Sequence, residues 1–180
     1  MTRLVRLDGP RMRALAGPAA SVYGAAMHRV PEVVVQRREI IAGHTTYPGF
    51  LCCAAFDAAE TEDDDGELIG FGYGYLGAGG QWWHDTVAQA LGREGTRRWL
   101  RDGFELAELH VLPAHQGKGI GRRLLADVLS RTTARHAVLS TPDTESPARL
   151  LYRSFGFEDL LCGFYFPGSS EMYAIMGVDL

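Results

Sequence analysis

Residues 104–125, Phe-Glu-Leu-Ala-Glu-Leu-His-Val-Leu-Pro-Ala-His-Gln-Gly-Lys-Gly-Ile-Gly-Arg-Arg-Leu-Leu, constrain the fold more than any other stretch. Leu106, Leu109 and Val111, within Phe104 to Leu112 and closed by Pro113, predict a strand. Ile120, Leu124, Leu125, Val128 and Leu129 recur at helical spacing, with Arg122, Arg123, Asp127 and Arg131 off that face, and predict a helix. Between them, Gln116-Gly117-Lys118-Gly119-Ile120-Gly121 sets three residues without a Cβ at the helix start. The unpaired N–H groups of a helix start favour anions, and Lys118, Arg122 and Arg123 add positive charge. A strand running through such a turn into a helix suits a phosphate-bearing ligand, and a pyrophosphate fits it.

Spacing narrows the ligand. A P-loop needs Gly-Lys followed by Ser or Thr, whereas Lys118 precedes Gly119. A dinucleotide fingerprint begun at Gly117 and Gly119 meets Arg122 where its third glycine belongs. The pattern that fits is Gln-x-x-Gly-x-Gly, at Gln116, Gly119 and Gly121. A second segment, Ser146 to Phe157, reads as a short helix with Pro147 in its first turn and Gly156 at its end. On the residues alone, a ligand-free glycine turn and a core tyrosine at Tyr152 remain open readings.

Taken together, the two segments resemble the GCN5-related N-acetyltransferase (GNAT) superfamily: its acetyl-CoA pyrophosphate loop, and its helix ending Leu-Tyr-x-x-x-Gly-Phe, here Leu151, Tyr152, Gly156 and Phe157. The resemblance implies an α/β fold with a mixed sheet, ordered β-α-α-β-β-(helical insert)-β-α-β-α-β-β. It implies acetyl-CoA as co-substrate and no metal. Gln116, Gly117, Lys118, Gly119, Ile120, Gly121 and Arg122 would hold the pyrophosphate. Main-chain groups of Leu109, His110 and Val111 would meet the thioester carbonyl and the pantetheine arm. Tyr152 would protonate the departing thiolate, and Glu105, eleven residues before Gln116, would be the base. One departure stands out: Glu145 occupies the position, seven before the tyrosine, where many members carry a cofactor-touching asparagine.

The acceptor chemistry is set by the reaction. An alkylamine has a pKa near ~10.4, so its proton must be removed before attack at neutral pH. Glu108 and His110 share the strand with Glu105 but have opposite parity to it, unless a bulge breaks the alternation. His110 is therefore the reserve base. No cysteine stands at a motif position, which favours direct attack in a ternary complex over an acetyl-enzyme.

Length and composition agree with one domain over residues 1–180, large enough for a single core. A net charge of −4 argues against a nucleic-acid partner. Met1 to Val5 is too short and polar for a signal peptide, and no run of about 18 apolar residues offers a membrane span. Cys52, Cys53 and Cys162 make neither a disulfide framework nor a metal pattern, so reduced thiols and a cytoplasmic protein are expected.

Strands are predicted at Arg3–Leu7, Phe50–Phe56, Leu68–Leu76, Ala137–Ser140, Leu160–Phe166 and Glu171–Val178, and helices at Pro18–Met27 and Pro31–Ala42. The acidic run Glu60 to Gly66 reads as a solvated hairpin loop, since the calcium-loop spacing is absent. An inserted segment at 77–103 holds Trp82, Trp83, a helix from Asp85 to Leu91, and Trp99. Its tryptophans are either satellite core or, with His84, a wall over the acceptor cleft. His44, Thr45 and Tyr47 in the segment Gly43–Gly49 are further acceptor candidates. Phe164, Tyr165, Phe166 and Tyr173 offer a surface for a homodimer. Two functions stay open: an N-acetyltransferase acting on a small-molecule or peptide amine, and a non-catalytic acyl-CoA-binding domain.

Overall fold

The computed structural model describes residues 2–57 and 66–180. The acidic run at 60–65 lies outside the described residues. In chain order the elements are β1 (Arg3–Leu7), α1 (Gly9–Ala14), α2 (Ala16–Met27), α3 (Pro31–His44), β2 (Leu51–Phe56) and β3 (Leu68–Leu76). Next come α4 (Trp82–Gly95), a π-helical turn (Thr96–Leu100), β4 (Gly103–Val111), a 3-10 turn (Pro113–His115) and α5 (Ile120–Arg131). β5 (His136–Pro142), α6 (Pro147–Ser154), β6 (Glu158–Tyr165) and β7 (Met172–Asp179) complete the chain.

This is the expected mixed α/β order with one addition, α1. Gly9-Pro10 resembles a turn in sequence, but the Asp8 carboxylate accepts the Arg11 N–H at 2.9 Å and Pro10 sits in the first turn. That is a cap followed by a proline in its favoured place, so a short helix forms.

The residues divide into two compact units. The first runs to Tyr75 and includes Glu108–Thr132. In it β2 pairs antiparallel with β1, from Arg3↔Phe56 to Leu7↔Cys52, and with β3, from Leu51↔Gly74 to Phe56↔Leu68. β3 is buried on both faces from Leu68 to Tyr75. A Cβ on its Gly72 would lie 2.9 Å from Leu109 Cδ1, so the missing side chain makes room for β4. α5 turns Ile120, Leu124, Leu125 and Val128 inward. Its Asp127 receives Arg6 at 2.8 Å and Arg131 at 2.7 Å, and Arg131 also donates to the Cys52 carbonyl at 2.9 Å.

The second unit holds Leu76–Ala107 and Thr133–Leu180. The start of β4 pairs parallel with β5, from Gly103↔His136 to Glu105↔Val138. β7 lies antiparallel between β5 and β6. The inserted helix is longer than expected, and it breaks at Gly92 (φ 68°, ψ −176°) before the π-helical turn. Val87, Leu100, Val138, Phe166 and Ile175 form the buried centre, with Trp83, Trp99, Phe164 and Tyr173 packed around it. Trp83 and Trp99 are thus core residues of this unit, and Trp83 Nε1 donates to Ser140 Oγ at 3.0 Å. Trp82 is 61% exposed. Most of the C-terminal aromatics are likewise in the core, leaving Tyr165 53% exposed.

Candidate active site

The glycine turn is built by backbone geometry. After β4 the chain makes the 3-10 turn, and Gln116 Nε2 donates to the Val111 carbonyl at 2.9 Å, folding the loop back on its own strand. Gly117 (φ 74°) and Gly119 (φ 77°) are left-handed, and Gly119 is the N-cap of α5. Nothing lies within 4 Å of a Cβ placed on either, so glycine is demanded here by φ, not by crowding. Gln116, Lys118, Arg122 and Arg123 are exposed beside the uncapped N–H groups of α5. The arrangement presents donors and positive charge to an anion. Gly119→Ala is expected to cost about 1–2 kcal/mol, seen as a lower urea midpoint at unchanged m-value.

α6 carries Tyr152, 7% exposed, with its ring edge-on to Phe157 at 5.9 Å. Ser146 Oγ accepts the Arg149 N–H at 3.2 Å, and Gly156 is left-handed (φ 88°) past the helix end. Arg149, 5% exposed, pairs with Asp143 and, at 2.9 Å, with Asp159, and Asp143 also accepts the Gly163 N–H at 2.7 Å. Glu145 is held by Arg153 at 2.9 Å, its side chain 70% exposed. A serine therefore caps this helix, and the carboxylate that departs from the family pattern is neutralised at the surface.

β4 brings its three candidate bases to different places. Glu105, 3% exposed, sits in the β5-paired half of the strand and in the second unit. Glu108 and His110 belong to the first unit and face one cluster. There Arg37 Nη1 donates to Glu108 Oε1 at 2.8 Å, and His110 Nε2 lies 2.5 Å from Glu108 Oε2. Arg37 also donates to the Tyr23 hydroxyl at 3.2 Å, and its guanidinium stacks over the Tyr23 ring at 4.4 Å. Tyr23 and Phe71 wall in the His110 ring at 5.2 and 5.7 Å.

Burial pushes the Glu108 carboxyl up, but the His110 hydrogen bond and the Arg37 charge outweigh it, leaving it below the usual range. Behind this cluster His44 Nδ1 and the Tyr73 hydroxyl share a hydrogen bond of 3.0 Å, with the Tyr47 and Tyr75 rings against the imidazole. Burial, helped by Arg37 and opposed by Glu108, lowers His44 to about 4, so it is neutral near pH 7. His44 closes α3 and Thr45 is its C-cap, bonded back to the Ala42 carbonyl at 2.8 Å. Both therefore stand at a helix end, where a free loop was expected.

Sequence reasoning missed Arg37, Tyr23 and Tyr73. Arg37 lies in the polar run Gln36-Arg37-Arg38-Glu39, and its partner is 71 residues away. Among the described residues no three His, Cys, Asp or Glu side chains converge as a metal-binding group, and no helix is long and apolar enough to cross a membrane.

A chain with this mixed sheet, glycine-capped α5 and tyrosine-bearing α6 has the architecture of an acyltransferase. Residues 55–159 match the model of the acetyltransferase (GNAT) domain. Over 97% of its length the chain is 33% identical to a GCN5-like protein acetyltransferase of Mycobacterium tuberculosis, 96% of which is covered. Its fold is shared with a protein of Pyrococcus horikoshii (TM-score 0.67, 20% identity, 100% and 99% of the two chains). It is shared as well with NAA60 of Arabidopsis thaliana in complex with acetyl-CoA (TM-score 0.65, 16% identity, 100% and 99%). The chain belongs to the GNAT family and is an N-acetyltransferase.

Proposed function

We propose that this enzyme moves the acetyl group of acetyl-CoA to a primary amine of a small molecule or peptide by direct attack in a ternary complex. The observation that carries the reading is the pair of left-handed glycines, Gly117 and Gly119, opening α5 beside exposed Lys118 and Arg122. Residues Gln116 to Arg122 would bind the pyrophosphate through main-chain N–H groups and side-chain charge. Main-chain groups of Leu109, His110 and Val111 would pair with pantetheine and polarise the thioester carbonyl, where negative charge develops during attack. The amine loses a proton to a β4 side chain, for which the family spacing nominates Glu105. Nitrogen bonds to the carbonyl carbon, the C–S bond breaks, and Tyr152 gives its proton to the thiolate. One catalytic domain over 1–180, in the cytoplasm, completes the reading. Burial pushes the Cys53 thiol up to about 12 and keeps it unreactive.

The test pairs calorimetry of acetyl-CoA binding with thiol release over a panel of polyamines, aminoglycosides and peptides. Saturable binding with turnover of at least one amine is the expected result. No binding would sink the proposal, and binding without turnover on any amine would favour a non-catalytic acyl-CoA-binding domain. Tyr152→Phe, which keeps the ring against Phe157, is expected to lower kcat about a hundredfold with the acetyl-CoA KM little changed.

A further inference from the structure

The buried trio of Arg37, Glu108 and His110 has the layout of an oriented base, and it deepens the proposed function, on which it rests. We propose that His110 Nδ1 is the atom that takes the proton from the acceptor amine, with Glu108 and Arg37 as its positioning residues. His110 Nε2 lies 2.5 Å from Glu108 Oε2. An ionised carboxylate can only accept, so Nε2 carries the hydrogen. In a neutral imidazole the lone pair is then left on Nδ1, the nitrogen not committed to Glu108. This is the division of labour in a carboxylate–histidine pair: one ring nitrogen is fixed by the acid, and the other is free to accept a proton.

Arg37 explains why the proton stays on histidine. Glu108, 5% exposed, is faced by Arg37 and His44 from α3, Tyr73 from β3 and His110 from its own strand, while Tyr23 from α2 packs on Arg37 and His110. Of these only Arg37 is cationic at every working pH, since buried His44 is neutral there. Its guanidinium, bonded at 2.8 Å, holds Glu108 as a carboxylate that stabilises the imidazolium without taking the proton itself. The Tyr23 hydroxyl and ring fix Arg37 in turn.

Access favours His110 over the carboxylates. Its side chain retains 13% exposure against 4% for Glu108, while Glu105 is 3% exposed within the β5 ladder. In the step itself the amine N–H bond breaks and its proton goes to Nδ1. The freed nitrogen pair attacks the thioester carbonyl carbon, the C–S electron pair leaves on sulfur and takes the Tyr152 proton, and the Tyr152 phenolate takes the remaining extra proton from the acylated nitrogen to leave a neutral amide.

Two measurements test this. In protein carrying 15N-labelled histidine, the His110 ring at pH 7.5 is expected to be protonated at Nε2 and bare at Nδ1. A ring protonated at Nδ1 overturns the assignment whatever the activity. With the best amine from the panel, His110→Ala is expected to lower kcat about a hundredfold. It should also abolish the acid limb of the kcat–pH profile, while Glu105→Gln keeps that limb. Glu108→Gln is expected to lower kcat and shift the limb, since a neutral amide cannot stabilise the imidazolium. Survival of the limb in His110→Ala, or its loss in Glu105→Gln alone, overturns the proposal. Failure of the wild-type enzyme to turn over any amine is a different result, and it sinks the parent reading.

Discussion

Replacing Arg37 by alanine is expected to lower the free energy of unfolding by about 3–5 kcal/mol, because it leaves a buried carboxylate without its cation. Glu108 keeps only 4% of its side chain exposed and is bonded by Arg37 at 2.8 Å. Without the guanidinium, His110 alone opposes the cost of keeping that charge out of water. The carboxyl would then relieve itself by protonation, so its titration should move upward. Denaturant unfolding at pH 7.5 measures the loss, and a change below about 1 kcal/mol would show that Glu108 does not depend on Arg37. The double variant Arg37→Met/Glu108→Gln is expected to recover part of the loss, since it removes both charges together.

Stability is expected to fall by about 3 kcal/mol as the pH drops from near 6.5 to near 4, through His44. In the folded chain this imidazole titrates at about 4, mainly because it is buried against Tyr47, Tyr73 and Tyr75. Between the two values the unfolded chain binds a proton that the folded chain refuses. The contribution is therefore complete above the unfolded value and lost as the pH falls towards the folded one. Glu108 acts in a lower window: its pKa is depressed, so its contribution disappears only as the pH falls below the ordinary carboxylate range. Urea midpoints at pH 7.5, 6 and 5 should show the first window opening. His44→Gln should flatten it. An unchanged slope in that variant would assign the acid sensitivity to other groups.

What could be read from the sequence and what could not divides along contact range. Gly117, Gly119 and Gly156 leave a local mark because positive φ favours glycine, so the turn into α5 and the end of α6 were legible. Pro147 beside Ser146 marked the start of α6 for a similar reason. The expected strand at Phe104–Leu112 matches β4 at Gly103–Val111, and its two-residue period puts Glu108 and His110 on one face, where their side chains meet. The partners of those side chains were hidden. Arg37 stands at helical spacing from Val33, Val34, Ile40 and Ile41, which marks its position as inward-facing, but nothing local names the carboxylate it meets, and Tyr23 in α2 looks like any core aromatic. The partner of a buried charge is decided by what folds over it, and a single sequence carries no period for that. α1 was missed because Gly9-Pro10 signals a turn as readily as a first helical turn, and only the Asp8 bond distinguishes them.

The π-helical turn at Thr96–Leu100 has a consequence for how this family branch can vary. Such a turn is what an α-helix becomes when it absorbs one extra residue. Removing the absorbed residue would relax the segment to an ordinary helix and leave the residues on either side in place. Trp99 lies inside the turn, and its ring fills the space over Gly177, where even a Cβ would come within 2.8 Å of Cε3. Orthologues that shorten the turn by losing this tryptophan are therefore expected to tolerate a side chain in place of Gly177. Insert length and strand composition are coupled here, and a comparison of orthologous genes would show them changing together.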